Sequence, residues 1–273
     1  MKTDLAVIGG GPGGYVAALR AAQLGARVVL IEREKLGGVC LNVGCIPTKA
    51  LLHSAKVYEM VRNAGEYGVR ASEAQMDWPA MQARKEKVVE RLVSGVGVLL
   101  KKANVTLLAG HGRFLSPRVV VVEGKGVNEQ VEADQIIIAT GSRPASLPVP
   151  GLDSPLVLDS TAALALPQLP ASMIVIGGGA IGVEFANLFH SLGVDVAVVE
   201  MLPRLLPLMD ATLGETLERS FKRRKIKTCT ETRLKQVKDV GGRLEVEVEG
   251  KSGTQTLQGE KMLLAVGRRP NME

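Results

Sequence analysis

Cys40 and Cys45 stand with four residues between them, in Gly37-Gly38-Val39-Cys40-Leu41-Asn42-Val43-Gly44-Cys45-Ile46-Pro47-Thr48-Lys49. A disulfide across so short a loop gains little loop entropy and tends toward labile, redox-active behaviour. Pro47 suits the first turn of a helix running through Leu51, Leu52, Ala55 and Val57. Cys45 then falls by a helix N-terminus, where a thiolate is stabilised. Two other chemistries compete. The pair as half of a metal site finds no Cys-x-x-Cys or His cluster to complete it, and plant-type iron–sulfur spacing needs a cysteine where Thr48 stands. The pair as two core thiols sits poorly with a Gly/Asn/Pro setting, which reads as a turn. Cys229, alone in a strand-like run, is expected to be a packed core residue.

A second chemistry is written twice. Leu5-Ala6-Val7-Ile8 leads into Gly9-Gly10-Gly11-Pro12-Gly13-Gly14, then a helical pattern to Leu24-Gly25, then Val28-Val29-Leu30-Ile31 and Glu32. The series recurs as Met173-Ile174-Val175-Ile176, Gly177-Gly178-Gly179-Ala180-Ile181-Gly182, Leu192-Gly193 and Val196-Ala197-Val198-Val199-Glu200. Each copy is a strand, a Gly-x-Gly-x-x-Gly turn, a helix, a second strand and a terminal acid. Gly9 and Gly177 make the tight turn, Gly11 and Gly179 let backbone approach a diphosphate, and Gly14 and Gly182 allow close helix–strand packing. The helix N-terminus offers unpaired N–H groups to phosphate. Glu32 and Glu200 would each accept hydrogen bonds from a ribose diol and repel a 2′-phosphate, so an unphosphorylated ribose is expected in both sites, NAD rather than NADP in the second. One such motif is weak; two, in the right context and with the acid at the same offset, read as two dinucleotide sites.

The elements that must position these groups are legible in outline. A length of 273 residues suggests two domains, and 46% hydrophobic with 23% charged residues is the make-up of a globular protein. Asp77 is expected to cap a long helix with apolar positions from Met81 through Val88, Val89, Leu92, Val96 and Leu99. Val105 to Val122 and Gln130 to Ala139 read as strands. A Pro-rich linker, Pro144 to Pro155, precedes the second copy. Asp210 is expected to cap a later helix, and Leu244 to Val248 with Lys261 to Val266 read as hairpin-like strands. The fold class expected is α/β: two Rossmann-like dinucleotide-binding domains with parallel sheets plus small antiparallel meanders. The divisions expected are 1–145 (first dinucleotide site and cysteine pair), 146–267 (second site) and 268–273 (start of a return to the first domain).

Aromatic residues make up 3% of the chain, which argues against stacking platforms for single-stranded nucleic acid. The net charge is +6, and its densest run is Lys222-Arg223-Arg224-Lys225-Ile226-Lys227. With Asp210, Glu215 and Glu218 just upstream, that run reads as a solvated helix end rather than a nucleic-acid surface. No apolar run approaches a membrane span, the N-terminus carries no sorting signal, and three cysteines do not make a disulfide framework. A cytoplasmic protein is expected, with no nucleic-acid and no membrane partner.

Gly37 to Lys49 resembles the redox-active segment of the pyridine nucleotide–disulfide oxidoreductases, and its continuation Ala50-Leu51-Leu52-His53-Ser54-Ala55 resembles the dihydrolipoamide dehydrogenases within that family. Ala139-Thr140-Gly141-Ser142-Arg143-Pro144 and Val266-Gly267-Arg268-Arg269-Pro270-Asn271 are similar to the family's two domain-crossing segments, so the resemblance spans the whole chain. It implies FAD in the first site and NAD in the second. It implies a Cys40–Cys45 disulfide, with Cys45 near the flavin and Cys40 exchanging with a dithiol substrate. Lys49 matches a lysine close to the flavin, and Glu184 the glutamate beside that lysine, a pair that would put charge by the flavin; an ordinary surface ion pair is the alternative. Gly112 and Thr140, Gly141 and Ser142 fall on FAD contacts, Gly267 and Leu234 on NAD contacts.

The activity implied is oxidation of dihydrolipoamide, or of a lipoyl domain carrying it, by NAD+. The partners implied are a 2-oxoacid dehydrogenase or glycine cleavage complex and a second copy in a homodimer. Glutathione-type and mercuric reductases are the alternatives within the class, and a non-catalytic dinucleotide-binding fragment or half of a split enzyme is the alternative outside it. By the same resemblance, a returning segment and an interface domain bearing a His–Glu base pair would follow residue 273. None of His53, His111 and His190 is placed to act as that base.

Overall fold

Short runs of Val, Ile, Leu and Ala become the central strands of two sheets. The computed structural model describes residues 1–71, 73–124, 126–251 and 253–272. The chain forms two compact units, one of Met1–Pro47, Lys85–Arg143 and Pro270–Glu273, the other of Thr48–Arg84 and Pro144–Arg269.

The first unit holds β1 (Lys2–Ile8), α1 (Pro12–Gln23), β2 (Val28–Glu32) and α2 (Gly38–Val43). After α3 (Cys45–Arg62) and α4 (Trp78–Lys102), which pass between the two sets of residues, come β3 (Thr106–Ala109), β4 (His111–Ser116), β5 (Val119–Gly124) and β6 (Val127–Ile138). The sheet order is β3-β2-β1-β6-β5-β4. β1 lies parallel to β2, with Leu5 opposite Val28, and parallel to the second half of β6, with Leu5 opposite Gln135. The first half of β6 runs antiparallel to β5, so one long strand serves a parallel sheet and a meander together. Because strand side chains alternate faces, Val7, Val28 and Leu30 bury with Ala18, Val96 and Leu100 on one side. Ala6, Ile8, Val29 and Ile31 bury with Val120 and Val131 on the other.

The second unit repeats the theme. Past β7 (Ser142–Pro144), where the chain crosses from the first unit, short strand β8 (Val157–Leu158) and helix α5 (Ser160–Leu164) lead to β9 (Ser172–Ile176), α6 (Ala180–Ser191), β10 (Asp195–Val199), α7 (Ala211–Arg223) and β11 (Lys227–Cys229). Then follow β12 (Arg233–Val240), β13 (Arg243–Gly250), β14 (Gly253–Gly259), β15 (Lys261–Leu264) and β16 (Arg268–Pro270). The parallel sheet has the order β11-β10-β9-β15-β8, and β12-β13-β14 form a separate antiparallel sheet. The expected α/β class with parallel sheets and antiparallel meanders is what the molecule shows.

Two local expectations are corrected. Leu244–Val248 and Lys261–Val266 do not pair with each other: Leu244 lies opposite Gly259 of β14, while β15 runs parallel between β9 and β8. β14 buries only Leu257 and Gly259, too little apolar pattern to reveal an extra strand, and fully buried Met262 and Leu263 belong to the sheet interior. The Cys40 segment is helical rather than a turn, because Leu41 tucks into the core and the Asn42 amide donates to the Leu36 and Gly38 carbonyls, both at 2.9 Å. The two units are also not contiguous in sequence. The chain passes from one unit to the other at 143/144, and Thr48–Arg84 groups with the second unit. There Leu51, Ala55 and Trp78 bury with Leu164, Phe185 and Phe189, and the Trp78 indole donates to the Leu166 carbonyl at 2.9 Å.

Candidate active site

Both glycine-rich turns are built alike. The Glu32 carboxylate accepts from the Gly10 N–H at 2.6 Å with one oxygen and from the Glu34 N–H at 2.7 Å with the other. The Glu200 carboxylate accepts from the Gly178 N–H at 2.5 Å and from the Leu202 N–H at 2.8 Å. The acid that sequence reading assigned to a ribose therefore also braces the turn, and each carboxylate oxygen keeps a further lone pair for a hydroxyl. A second correspondence is invisible in the motif. The Gly10 carbonyl accepts from Gly37 N–H at 2.8 Å, and the Gly178 carbonyl from Leu206 N–H at 2.9 Å. In each unit the chain after the second strand folds back and locks the turn.

The turns fit dinucleotides. A Cβ on Gly14 would overlap the Gly9 carbonyl oxygen and one on Gly182 the Gly177 oxygen, so helix and strand approach as only glycine permits. Gly11 and Gly179 are the N-caps of α1 and α6; neither cap has a side-chain hydrogen bond, and neither first turn holds an acid. Beyond Gly179 a Cβ would meet nothing within 4 Å. The first-turn N–H groups of α6 are thus open to a diphosphate, whereas a Cβ on Gly11 would meet the Gly38 Cα at 3.6 Å. A cavity of about 70 Å³ in the first unit is lined by Gly9, Glu32, Gly112 and Thr140 together with His111 and Asn271. Thr140 Oγ1 donates to the Asn271 carbonyl at 2.7 Å, and the Asn271 amide returns to the Thr140 carbonyl at 2.8 Å. Asn271 is a contributor that the motif reading missed; only its place in the crossing segment hinted at it.

The cysteine pair is seated on the first of these turns. Besides the Gly37–Gly10 bond, a Cβ on Gly38 would stand 2.7 Å from the Gly11 Cα. α2, bearing Cys40, therefore starts against the backbone that would face the diphosphate. Gly44 closes the loop: a Cβ there would lie 2.8 Å from the Val39 carbonyl oxygen and 3.2 Å from the Cys40 Cα. The chain doubles back on itself and opens α3 at Cys45, which is exposed, while Cys40 is half-buried. Among the described residues no group of three or more His, Cys, Asp or Glu could hold a metal ion. Cys229 is half-buried against the β12–β14 core, as expected.

Lys49 follows Cys45 by one turn of α3. Its ammonium donates to both carboxylate oxygens of Glu184 on α6, at 2.5 and 2.7 Å, with side chains 56% and 34% exposed. Leu51 and Ala55, on the opposite face of α3, pin that helix to the core that includes Phe185. Farther along, Arg224 leaves the basic run in which it was read. It donates to Glu59 of α3 at 2.7 Å, to Ser191 of α6 at 2.9 Å, and to Asn187 of α6. Burial, and then the Arg224 charge, push the neighbouring His190 below its ordinary value. Leu234, placed by resemblance among NAD contacts, is 5% exposed and packs with Ile174, Val246 and Val248, so its side chain is a core residue. Gly267 accepts at its carbonyl from Ala145 N–H at 3.0 Å. Among the described residues no helix is long and apolar enough to cross a membrane.

Two braced glycine-rich turns, with a closely spaced cysteine pair seated on the first, are the arrangement of a nucleotide-dependent thiol–disulfide oxidoreductase fold. The family model of pyridine nucleotide-disulphide oxidoreductases matches residues 3–273, and the chain belongs to that family, whose members use FAD and NAD(H). It is 41% identical to a dihydrolipoyl dehydrogenase of Bacillus subtilis across 99% of this chain and 59% of the relative. Identity is 45% to a dihydrolipoyl dehydrogenase of Trypanosoma brucei brucei, across 98% of this chain and 57% of the relative. One from Acholeplasma laidlawii is 41% identical over 98% of this chain and 79% of the relative. Among solved structures, a Cu(II) complex of the HOCl-induced flavoprotein disulfide reductase RclA from Escherichia coli superposes with a TM-score of 0.84 at 28% identity, over 99% of this chain and 57% of that one. The chain thus spans between half and two thirds of the length of most of these relatives.

Proposed function

We propose that the chain is the FAD- and NAD-binding portion of a dihydrolipoyl dehydrogenase. The observation that carries this reading is the cysteine segment locked onto the first dinucleotide turn by the Gly37–Gly10 bond and the Gly38–Gly11 contact. Gly9, Gly11, Gly14, Glu32, Gly112, Thr140, Gly141 and Ser142 would hold FAD; Gly177, Gly179, Gly182, Glu200 and Gly267 would hold NAD. When bound, FAD supplies a two-electron relay between a dithiol and a nicotinamide, which do not exchange electrons directly.

The chain's own residues then have separate tasks. Cys40 exchanges with a thiolate of dihydrolipoamide: the Cys40–Cys45 bond breaks, a mixed disulfide forms, and the second substrate thiolate closes lipoamide. Two electrons and two protons leave the dithiol, a hydride reaches NAD+, and one proton is released. Cys45, at the first residue of α3, is left as the thiolate that would stand next to bound FAD. Lys49 keeps a positive charge one turn away, and Glu184 fixes the direction of that ammonium. The lipoyl group would arrive on a 2-oxoacid dehydrogenase or glycine cleavage complex, the enzyme acting as a homodimer in a reducing, cytoplasmic setting.

The test is the visible spectrum of the FAD-reconstituted chain before and after one equivalent of a two-electron reductant. A long-wavelength band that survives in Cys40→Ser and vanishes in Cys45→Ser supports the assignment. A chain that takes up FAD but shows no such band, or shows it equally in Cys45→Ser, overturns it.

A further inference from the structure

The last turn of α7 and the start of β11 form a cationic surface that the redox chemistry leaves unused. Arg219, Lys222, Arg223, Lys225 and Lys227 are all exposed there. Arg219 donates to the Thr216 hydroxyl at 3.1 Å, and none of the five makes an ion pair among the described residues. Among the cations of the run Arg224 is withdrawn, into its bonds with Glu59, Asn187 and Ser191. The rest surround two open depressions of about 680 and 560 Å³ that share Arg219 and Lys222. The larger one is also lined by buried Ile226 and by Glu215 and Glu218, one Glu218 oxygen accepting from the Leu205 N–H at 2.8 Å.

Cations at a helix C-terminus offset its dipole, and Lys222 and Arg223 of the last turn suffice for that. Lys225 and Lys227 lie beyond the helix, on the connection and on β11, and widen the patch past what the dipole needs. The positive backbone angle of Lys225, φ 63°, turns the chain sharply there, so that helix end and strand face one trough. The surface also stands away from the nucleotide. Lys227 pairs with Ala197 at the beginning of β11, whereas Cys229 pairs with Val199, beside Glu200.

We propose that this surface docks an acidic polypeptide segment. The two lining carboxylates select between polyanions. Duplex nucleic acid presents a charge about every 1.7 Å, so Glu215 and Glu218 would repel it. A protein segment spaces its carboxylates among N–H and hydroxyl donors that glutamates accept from. Three of the five cations are lysines, point charges that pair with single carboxylates. This inference is independent of the flavin and disulfide reading.

The probe is a fluorescein-labelled peptide alternating Glu-Asp with Ser-Gly, followed by anisotropy. The expected result is binding that weakens by about tenfold or more between about 20 and 150 mM salt. Lys222→Gln/Lys225→Gln/Lys227→Gln should lose it by about tenfold. A control with three charges removed elsewhere, Lys101→Gln/Lys102→Gln/Arg113→Gln, should bind as the parent does, and NADH binding should be the same in all three proteins. Equal peptide binding by parent and triple variant would overturn the proposal. So would tighter binding of a short DNA duplex or of polyphosphate than of the peptide, lost in the same triple variant.

Discussion

At the scale of single residues, the turn glycine between the cysteines carries the sharpest consequence. Gly44 has no room for a Cβ beside the Val39 oxygen and the Cys40 Cα. Gly44→Ala is therefore expected to cost about 1–3 kcal/mol and to move Cys45 relative to Cys40. Denaturant unfolding, with the rate at which the reduced pair forms an intramolecular disulfide, checks both effects; a variant as stable as the parent that closes the bond equally fast would show that the turn has slack. The Lys49–Glu184 pair behaves differently. Partly exposed, it contributes at most about 1 kcal/mol, so Glu184→Gln should leave the melting temperature within a few degrees. On the proposed function it should slow dithiol-driven NAD+ reduction by about tenfold or more, since the ammonium loses its fixed direction. The cysteines were legible because their spacing and neighbours are unusual. The Lys49–Glu184 partnership was not legible from spacing, since 135 residues separate the two and only folding of α3 onto α6 joins them.

At the scale of elements, α3 is laced to α6 at two levels, by Lys49–Glu184 and by Glu59 with Arg224. Arg224→Met would leave a half-buried carboxylate and two polar side chains without their donor. The expected loss is about 1–2 kcal/mol, moderated by solvent because both partners are around a third exposed. Chemical denaturation of Arg224→Met, Glu59→Gln and the double variant measures the coupling, and strict additivity would show that the pair does nothing together. His190 adds a pH dependence. Its proton is disfavoured in the fold, chiefly by burial and then by Arg224; Glu59 and Asp195 act in the opposite sense. The unfolded chain therefore binds more protons around and below its ordinary value of about 6.5. The stabilising contribution of neutral His190 is complete above that value and falls away as pH drops through the lowered folded value. His190→Gln should flatten stability between about pH 7 and 5, and an unchanged slope would assign it to other groups. The basic run illustrates a limit of sequence reading: six consecutive positions looked like one solvated face, but a helix end followed by a sharp turn points Arg224 inward and its neighbours out. Likewise, Lys261–Val266 was legible as a strand, but its parallel place between β9 and β8 depends on partners far away in sequence.

At the scale of the whole molecule, the chain is one design used twice, and the repetition extends beyond the motif. The same acid braces the same glycine N–H, and the same glycine carbonyl is closed by a returning loop, in both units. What differs is the content of that loop. In the first unit it continues into α2 and the cysteines; in the second it is the segment from Met201 to Asp210 that leads to α7. One framework thus serves two glycine-rich turns, only the first of which is given a cysteine partner. The two sites should therefore be separable by the same chemical change. Glu32→Gln and Glu200→Gln each replace one of two acceptor oxygens by an amide that opposes a backbone N–H, while keeping shape and fold. Glu200→Gln is expected to weaken NADH binding by about tenfold, the order of one charge-assisted hydrogen bond, and to leave FAD uptake intact. Glu32→Gln should do the reverse. NADH fluorescence titration and the flavin content after reconstitution read the two sites apart. If either substitution damaged both sites equally, the braces would be supporting a shared fold rather than individual turns. If neither did, the N–H groups of the helix ends alone would be holding the dinucleotides, and the acids conserved by the repeat would be serving only the ribose hydroxyl pattern that distinguishes one nucleotide from another.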